Sequence, residues 1–322
     1  MRTARLSALL AAACLFCEAP GALAVRPGEV SRTASAVCEY RAIAAQHPDP
    51  KLRNPDHLAD KLCERRSALP RPYAEARSFI ANTGVSHASY YFINARTLHI
   101  EGELRRAAAE GATQVVVLGA GFDSRAYRYR ESHPQLRFFE VDLPPMVAEK
   151  KKRIAAALGA VPDYVRYAPI DFDRQTLEEV LPPLGFDARQ KSFFILEGVT
   201  MYVNAEGNGA TLRFISRNAA PGSRVIYDYA LRRVIQGKFE GMYAMRELTS
   251  TVASIGEPYV TGWTPREAAA FARKQGLMPV EDLGARELTQ RYLIGSDGKP
   301  DGRMPDGFRM LQAQVPAPGR KP

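Results

Sequence analysis

Residues 115–128 read VVVLGAGFDSRAYR. Three valines and a leucine form an unbroken apolar run, the composition of a strand buried on both faces of a parallel sheet. The run passes directly into Gly119-Ala120-Gly121, and a helical stretch follows. Glycine lets the chain turn tightly and lets its backbone meet a ligand with no Cβ in the way. Strand, glycine turn and helix in that order are the parts of a nucleotide site, although a structural turn alone accounts for many such matches. The third glycine of a G-x-G-x-x-G pattern would fall at Ser124. Its absence weakens a pyrophosphate site and suits a cofactor with no phosphates to cradle.

Outward from this turn, short runs rich in β-branched and aromatic residues alternate with helical stretches. The runs are 114–118 (QVVVL), 137–141 (RFFEV), 164–168 (YVRYA), 192–196 (SFFIL) and 224–228 (RVIYD). This alternation predicts a Rossmann-like α/β fold, a mostly parallel twisted sheet with helices on both faces. Thr176 with Glu179, and Thr264 with Pro265 and Glu267, mark helix starts. The main domain is expected over 113–295. Residues 230–262 are long for a connection and predict a helical insertion near the site, after the fifth strand. Closing strands are expected near 278–283 and 290–294. The tail 296–322, rich in Pro, Gly and charge, is expected to be loose. Residues 25–112 read as an N-terminal helical cap with joints at His47-Pro48-Asp49-Pro50, Asn54-Pro55-Asp56 and Leu69-Pro70-Arg71-Pro72.

The strand ends carry the chemistry. In 138–144 (FFEVDLP) the strand ends at Asp142, 21 positions after Gly121. A carboxylate there can accept from both ribose hydroxyls of an adenosine, and its charge strengthens those bonds. Capping the next helix is its structural alternative. Glu140, on the same sheet face, is the rival carboxylate. In 169–173 (PIDFD), Asp171 can reach an adenine amino group while Phe172 flanks the ring, and Asp173 is the better helix cap. In 193–203 (FFILEGVTMYV), Glu197 ends the fourth strand beside Gly198. Ligands of open α/β sheets sit at the carboxyl ends of the strands. Four successive strands deliver the Gly-Ala-Gly turn, Asp142, Asp171 and Glu197 to that edge. S-Adenosyl-L-methionine, an adenosine bearing a sulfonium instead of phosphates, suits the set.

The chain has 322 residues, of which 46% are hydrophobic and 25% charged, enough for one large core with an appendage. Its net charge is +9. A positive field favours anionic partners, and a solvated surface is the plainer explanation of it. Lys150-Lys151-Lys152-Arg153 is one local run. No zinc finger or aromatic RNA-binding signature occurs, so no nucleic-acid partner is expected. Arg2 and Arg5, the apolar run Leu6 to Cys17, and Ala22-Leu23-Ala24 have the layout of a secretory signal peptide cleaved after Ala24. With this leader of 1–24 removed, no stable membrane span is expected. Cys14 and Cys17 fall in the leader; Cys38 and Cys63 read as buried free thiols, with a disulfide left open.

LGAGFDSRAYR, FEVDLP and ILEGVTMYV together resemble the leucine carboxyl methyltransferase family, most nearly its bacterial branch of S-adenosyl-L-methionine-dependent methyltransferases. SRTASAVCEYRA (31–42) resembles that branch's N-terminal segment. ARTLHIEGEL (95–104) resembles its Arg-Thr-x-x-Ile-Asp helix, with Glu101 replacing the Asp. The likeness covers about 31–283. It implies the class I methyltransferase fold, and it implies roles. Arg96 would hold the cofactor carboxylate, and Gly119 and Gly121 would meet the methionine moiety. Asp142 would take the ribose, Asp171 and Phe172 would border the adenine, and Glu197 would face the methionine amino group or the substrate. Phe122, Ser124 and Phe172 depart mildly from the commoner residues, and none implies a dead cofactor site.

The expected reaction is in-line displacement of the sulfonium methyl by an oxygen of a small-molecule or peptide acceptor, and the basic net charge favours an acidic one. A carboxylate acceptor is already ionised and needs no general base. That agrees with the lack of an obvious Ser/His/Asp or metal-ligand set, and no metal is expected. No catalytic residue is assigned beyond Glu197 and Tyr202 as pocket candidates, with Tyr227 or Tyr229 as further lining. Two other readings share the motifs: an NAD(P)-dependent oxidoreductase, and an exported binding protein that kept the fold without catalysis. The leader points to export and methyl transfer to the cytoplasm, so location stays open.

Overall fold

The computed structural model describes residues 30–63, 72–82, 84–172 and 174–319. The leader with Cys14 and Cys17, the joint at Leu69-Pro70-Arg71, and Asp173 lie outside the described residues. Four helices come first: α1 (Arg32–Ala44), α2 (Ala59–Leu62), α3 (Tyr73–Asn82) and α4 (Gly84–Ala109). The chain then alternates through β1 (Gln114–Leu118), α5 (Arg125–Arg128), β2 (Arg137–Asp142), α6 (Pro144–Leu158) and β3 (Val165–Pro169). It continues with α7 (Leu177–Val180), β4 (Ser192–Leu196), α8 (Ala205–Asn218) and β5 (Arg224–Leu231). Next come α9 (Arg232–Ile235), α10 (Met245–Ser254), β6 (Gly262–Trp263), α11 (Pro265–Lys274), β7 (Met278–Leu283), α12 (Ala285–Tyr292) and β8 (Phe308–Gln314). Among the described residues no helix is long and apolar enough to cross a membrane.

The strands form one mixed, mostly parallel α/β sheet of order β3-β2-β1-β4-β5-β8-β7, with β6 beside β5. β1 to β5 run parallel, and β8 is antiparallel to both its neighbours. β1 and β4 are buried at every residue. They lie mid-sheet with layers on both faces, which is why QVVVL and SFFIL are almost wholly apolar. The period of two divides them. Val115, Val117, Phe193 and Ile195 join Leu104 of α4, Ala126 of α5 and Ile154 of α6 on one face. Val116, Leu118, Phe194 and Leu196 join Leu177 of α7, Leu212 of α8 and Ala268 of α11 on the other.

Three expectations are corrected. Residues 290–294 are not a strand. Most of them end α12, whose first turn is closed by Gly284 N–H donating to Glu287 Oε2 at 3.0 Å. The tail is not loose over 308–314: β8 lies between β5 and β7 and buries Phe308, Met310, Leu311 and Ala313. The Pro, Gly and charge of 296–307 describe only the connection leading to it. The basic run at 150–153 is not one solvated face. Helical spacing puts Lys150 on the buried side of α6 with Met146, Val147 and Ile154, where its Nζ lies 2.8 Å from Glu140.

Candidate functional site

Strand order reverses between β1 and β4, and a crevice opens beyond their carboxyl ends. The glycine turn sits there. Gly119 N–H and Ala120 N–H both donate to Val141 O, at 2.9 and 3.1 Å, which folds the turn over the end of β2. Gly119 has φ +68° and Gly121 φ +46°, conformations that a Cβ penalises. At Gly119 a Cβ would also stand 2.5 Å from Val199 Cγ2. Asp142 grips the turn from below: Oδ2 accepts from Gly121 N at 2.6 Å and Oδ1 from Leu143 N at 2.7 Å. Burial pushes its carboxyl above the usual range, and those two amides oppose the shift. Asp142 is not an N-cap, since α6 has Leu143 there with no side-chain bond.

Behind the turn lies a web of buried ions. Arg96 Nε donates to Glu197 Oε1 at 3.1 Å, and its Nη1 to Asp228 Oδ2 at 2.6 Å. Arg125 Nη1 reaches Glu197 Oε2 at 2.9 Å and also bonds Asp123, while its Nε lies 3.2 Å from Glu101. Arg41 holds Asp56 at 2.9 Å and the Phe122 carbonyl at 2.8 Å. Burial alone would raise Glu197 and Asp123; the arginines outweigh it, lowering Glu197 and holding Asp123 at about 2. With Arg128, four arginines face Asp56, Glu101, Asp123, Glu197 and Asp228. Asp142 adds a sixth carboxylate, with no ion pair among the described residues. Arg105 also approaches Glu101, at 3.9 Å, so within the web five arginines balance five carboxylates.

These groups border a cavity of about 730 Å³. Its walls include Arg96, Gly119, Gly121, Asp142, Phe172, Glu197 and Tyr202. Asp171 is not among them. Its carboxylate is 43% exposed and lies 3.5 Å from Arg174, because Arg174 and Gln175 fold back onto the Asp171 carbonyl. Glu140, the rival to Asp142, is likewise off the cavity, and burial beside Lys150 leaves its carboxyl pushed up to about 7. Tyr227 and Tyr229 pack into the core on the α7–α8 face rather than lining the cavity. The roof is made by α1 and by α10 with the segment after it. Glu257 joins them, accepting from Arg32 N at 2.8 Å, Thr33 N at 3.3 Å, Ser31 Oγ at 3.2 Å and the Thr33 hydroxyl. Phe92, Met201, Tyr259 and Phe308 line the apolar part.

A family model described as leucine carboxyl methyltransferase matches residues 34–216. The chain belongs to the leucine carboxyl methyltransferase family. The "Putative S-adenosyl-L-methionine-dependent methyltransferase YktD" of Bacillus subtilis is 29% identical over 62% of this chain and 64% of its own. A Mycolicibacterium smegmatis protein, also named a "Putative S-adenosyl-L-methionine-dependent methyltransferase", is 31% identical over 72% of this chain and 78% of its own. The match spans just under two thirds of the length of the first of these relatives. Among solved structures, a "putative methyltransferase from Thermobifida fusca" shares the fold at 14% identity, with a TM-score of 0.50 over 88% of this chain and 94% of that one. The class I methyltransferase fold is therefore the fold of this family member.

Within this leucine carboxyl methyltransferase family fold, the sequence reading passed over Asp228, Arg125, Arg41 and Glu257. Asp228 had a legible signal: it closes the run RVIYD, as Asp142 and Glu197 close theirs. Arg41 and Glu257 had none, since their partners lie far away in the chain, and of Arg125's partners only Asp123 is near in sequence.

Proposed function

We propose that this chain is an S-adenosyl-L-methionine-dependent methyltransferase that O-methylates a carboxylate on a small molecule or peptide. The observation that carries the cofactor is the switch-point turn, whose Cβ-free glycines lie against the Asp142 carboxylate at the cavity wall. A cavity of 730 Å³ is within the usual range for such ligands. The family and the names of the relatives support the same reading, and neither supports the oxidoreductase or the binding-protein alternative.

When bound, S-adenosyl-L-methionine supplies an electrophilic methyl on sulfur. Asp142 would accept from the ribose hydroxyls and Phe172 would flank the adenine. Arg96, lining the cavity between Glu197 and Asp228, faces the cofactor carboxylate. Gly119 and Gly121 let the backbone meet the methionine part. Glu197, committed to two arginines, contributes a fixed negative field near the cofactor amino group rather than a free base.

The lining of the cavity supports this acceptor class. None of the five histidines is among its lining residues. Asp123, Asp142, Glu197, Asp228 and Glu257 are each taken by arginines or N–H and O–H donors, and Glu178, the remaining acid of the lining, is exposed and meets Asn218 Nδ2 at 3.5 Å. Burial pushes Tyr202 and Tyr259 well up, which keeps them neutral near pH 7. A nucleophile that arrives ionised fits such a wall, and a carboxylate is that nucleophile. The residues then act by alignment and exclusion of water, effects worth ~7–11 kcal/mol in favourable cases. The test uses methyl-labelled S-adenosyl-L-methionine with a panel of apolar carboxylic acids and short peptides. Label that mild alkali releases as methanol marks an ester. Base-stable label would overturn the carboxylate, and absence of S-adenosylhomocysteine binding by calorimetry would overturn the methyltransferase.

A further inference from the structure

We propose that Cys38 and Cys63 are the two halves of a disulfide that staples α1 to the end of α2. They are the only cysteines among the described residues, both are buried, and their Sγ atoms lie 2.6 Å apart. A disulfide bond is about 2.05 Å long, so a small closing movement completes the bridge. Cys38 is in mid-α1 and Cys63 is the C-cap of α2, two helices already packed together.

The loop so closed has a particular content. Arg41 and Asp56 both lie inside it, and they grip the glycine-rich turn. Arg41 donates to the Phe122 carbonyl and to Asp56, and Asp56 accepts from the Ser124 hydroxyl. Val37, Tyr40 and Arg41, flanking Cys38, line the cavity. The bridge would tie the wall of the site and its clamp on the turn into one covalent loop.

Oxidation breaks two S–H bonds and forms one S–S bond. Two electrons and two protons pass to a low-molecular-weight disulfide such as oxidised glutathione, which becomes two thiols. Both sulfurs are buried and burial raises the Cys63 thiol, so oxidants in solution reach the folded pair slowly. The bridge is accordingly a structural one made during folding and not a fast sensor. The bridged form belongs to an oxidising compartment and the dithiol to a reducing one.

The full chain, refolded with oxidised glutathione, is alkylated, digested with trypsin and mapped by mass spectrometry. A linked pair of peptides 33–41 and 62–65 is expected. The thermal midpoint should fall by roughly 5–10 °C on reduction, and the double variant Cys38→Ala/Cys63→Ala should not respond. Recovery of the two cysteines as separate alkylated peptides, as glutathione adducts, or bridged to Cys14 or Cys17 overturns the proposal. An equal midpoint shift in the double variant overturns the stapling.

Discussion

Asp142 has one duty that the structure shows and a second, the ribose, that is proposed for it. Its oxygens already accept from Gly121 and Leu143, so the carboxylate shapes the turn whether or not a ribose is present. In Asp142→Ala both amides lose their acceptor and the proposed ribose bonds disappear. Two charge-assisted bonds at about 1.5–3 kcal/mol each predict at least a 100-fold loss of S-adenosylhomocysteine affinity by calorimetry. The midpoint should fall by only a few degrees, with the circular dichroism spectrum kept. Affinity equal to that of the wild type would remove the ribose assignment.

At the scale of elements, the roof depends on one carboxylate between two segments distant in the chain. Glu257 takes the first-turn amides of α1, which a helix start otherwise leaves without acceptors. Glu257→Ala strands those donors, at a cost of about 1–3 kcal/mol. Amide hydrogen exchange over 32–44 should quicken while exchange in β1 and β4 stays slow. Unaltered exchange across α1 would show that Glu257 does not hold the roof. The ion web acts at the same scale: Arg96 on α4 meets Glu197 after β4 and Asp228 on β5, which fixes the helical N-terminal part against the sheet.

For the whole molecule, the chain's end is built into its middle. β8 pairs with β5 on one side and β7 on the other. A chain ending at Asp306 would leave two bare strand edges and uncover the core around Leu311. It should lose near-ultraviolet circular dichroism and aggregate. A soluble product with the native spectrum would mean that the sheet closes without this strand.

What the sequence determined by itself was local and periodic. β1 and β4 were legible to the residue as apolar runs, α11 through Thr264, Pro265 and Glu267, and the turn through its two glycines. Each of these rests on neighbours within a few positions. Tertiary structure alone decided that Lys150 is buried with Glu140 and that Phe308–Gln314 enters the sheet. It also decided that Arg96 and Glu197 neutralise each other instead of standing free. The physical reason is common to all three. A buried charge or an inserted strand is stable only with its partner in place, and that partner is chosen by the fold rather than by adjacency in the chain.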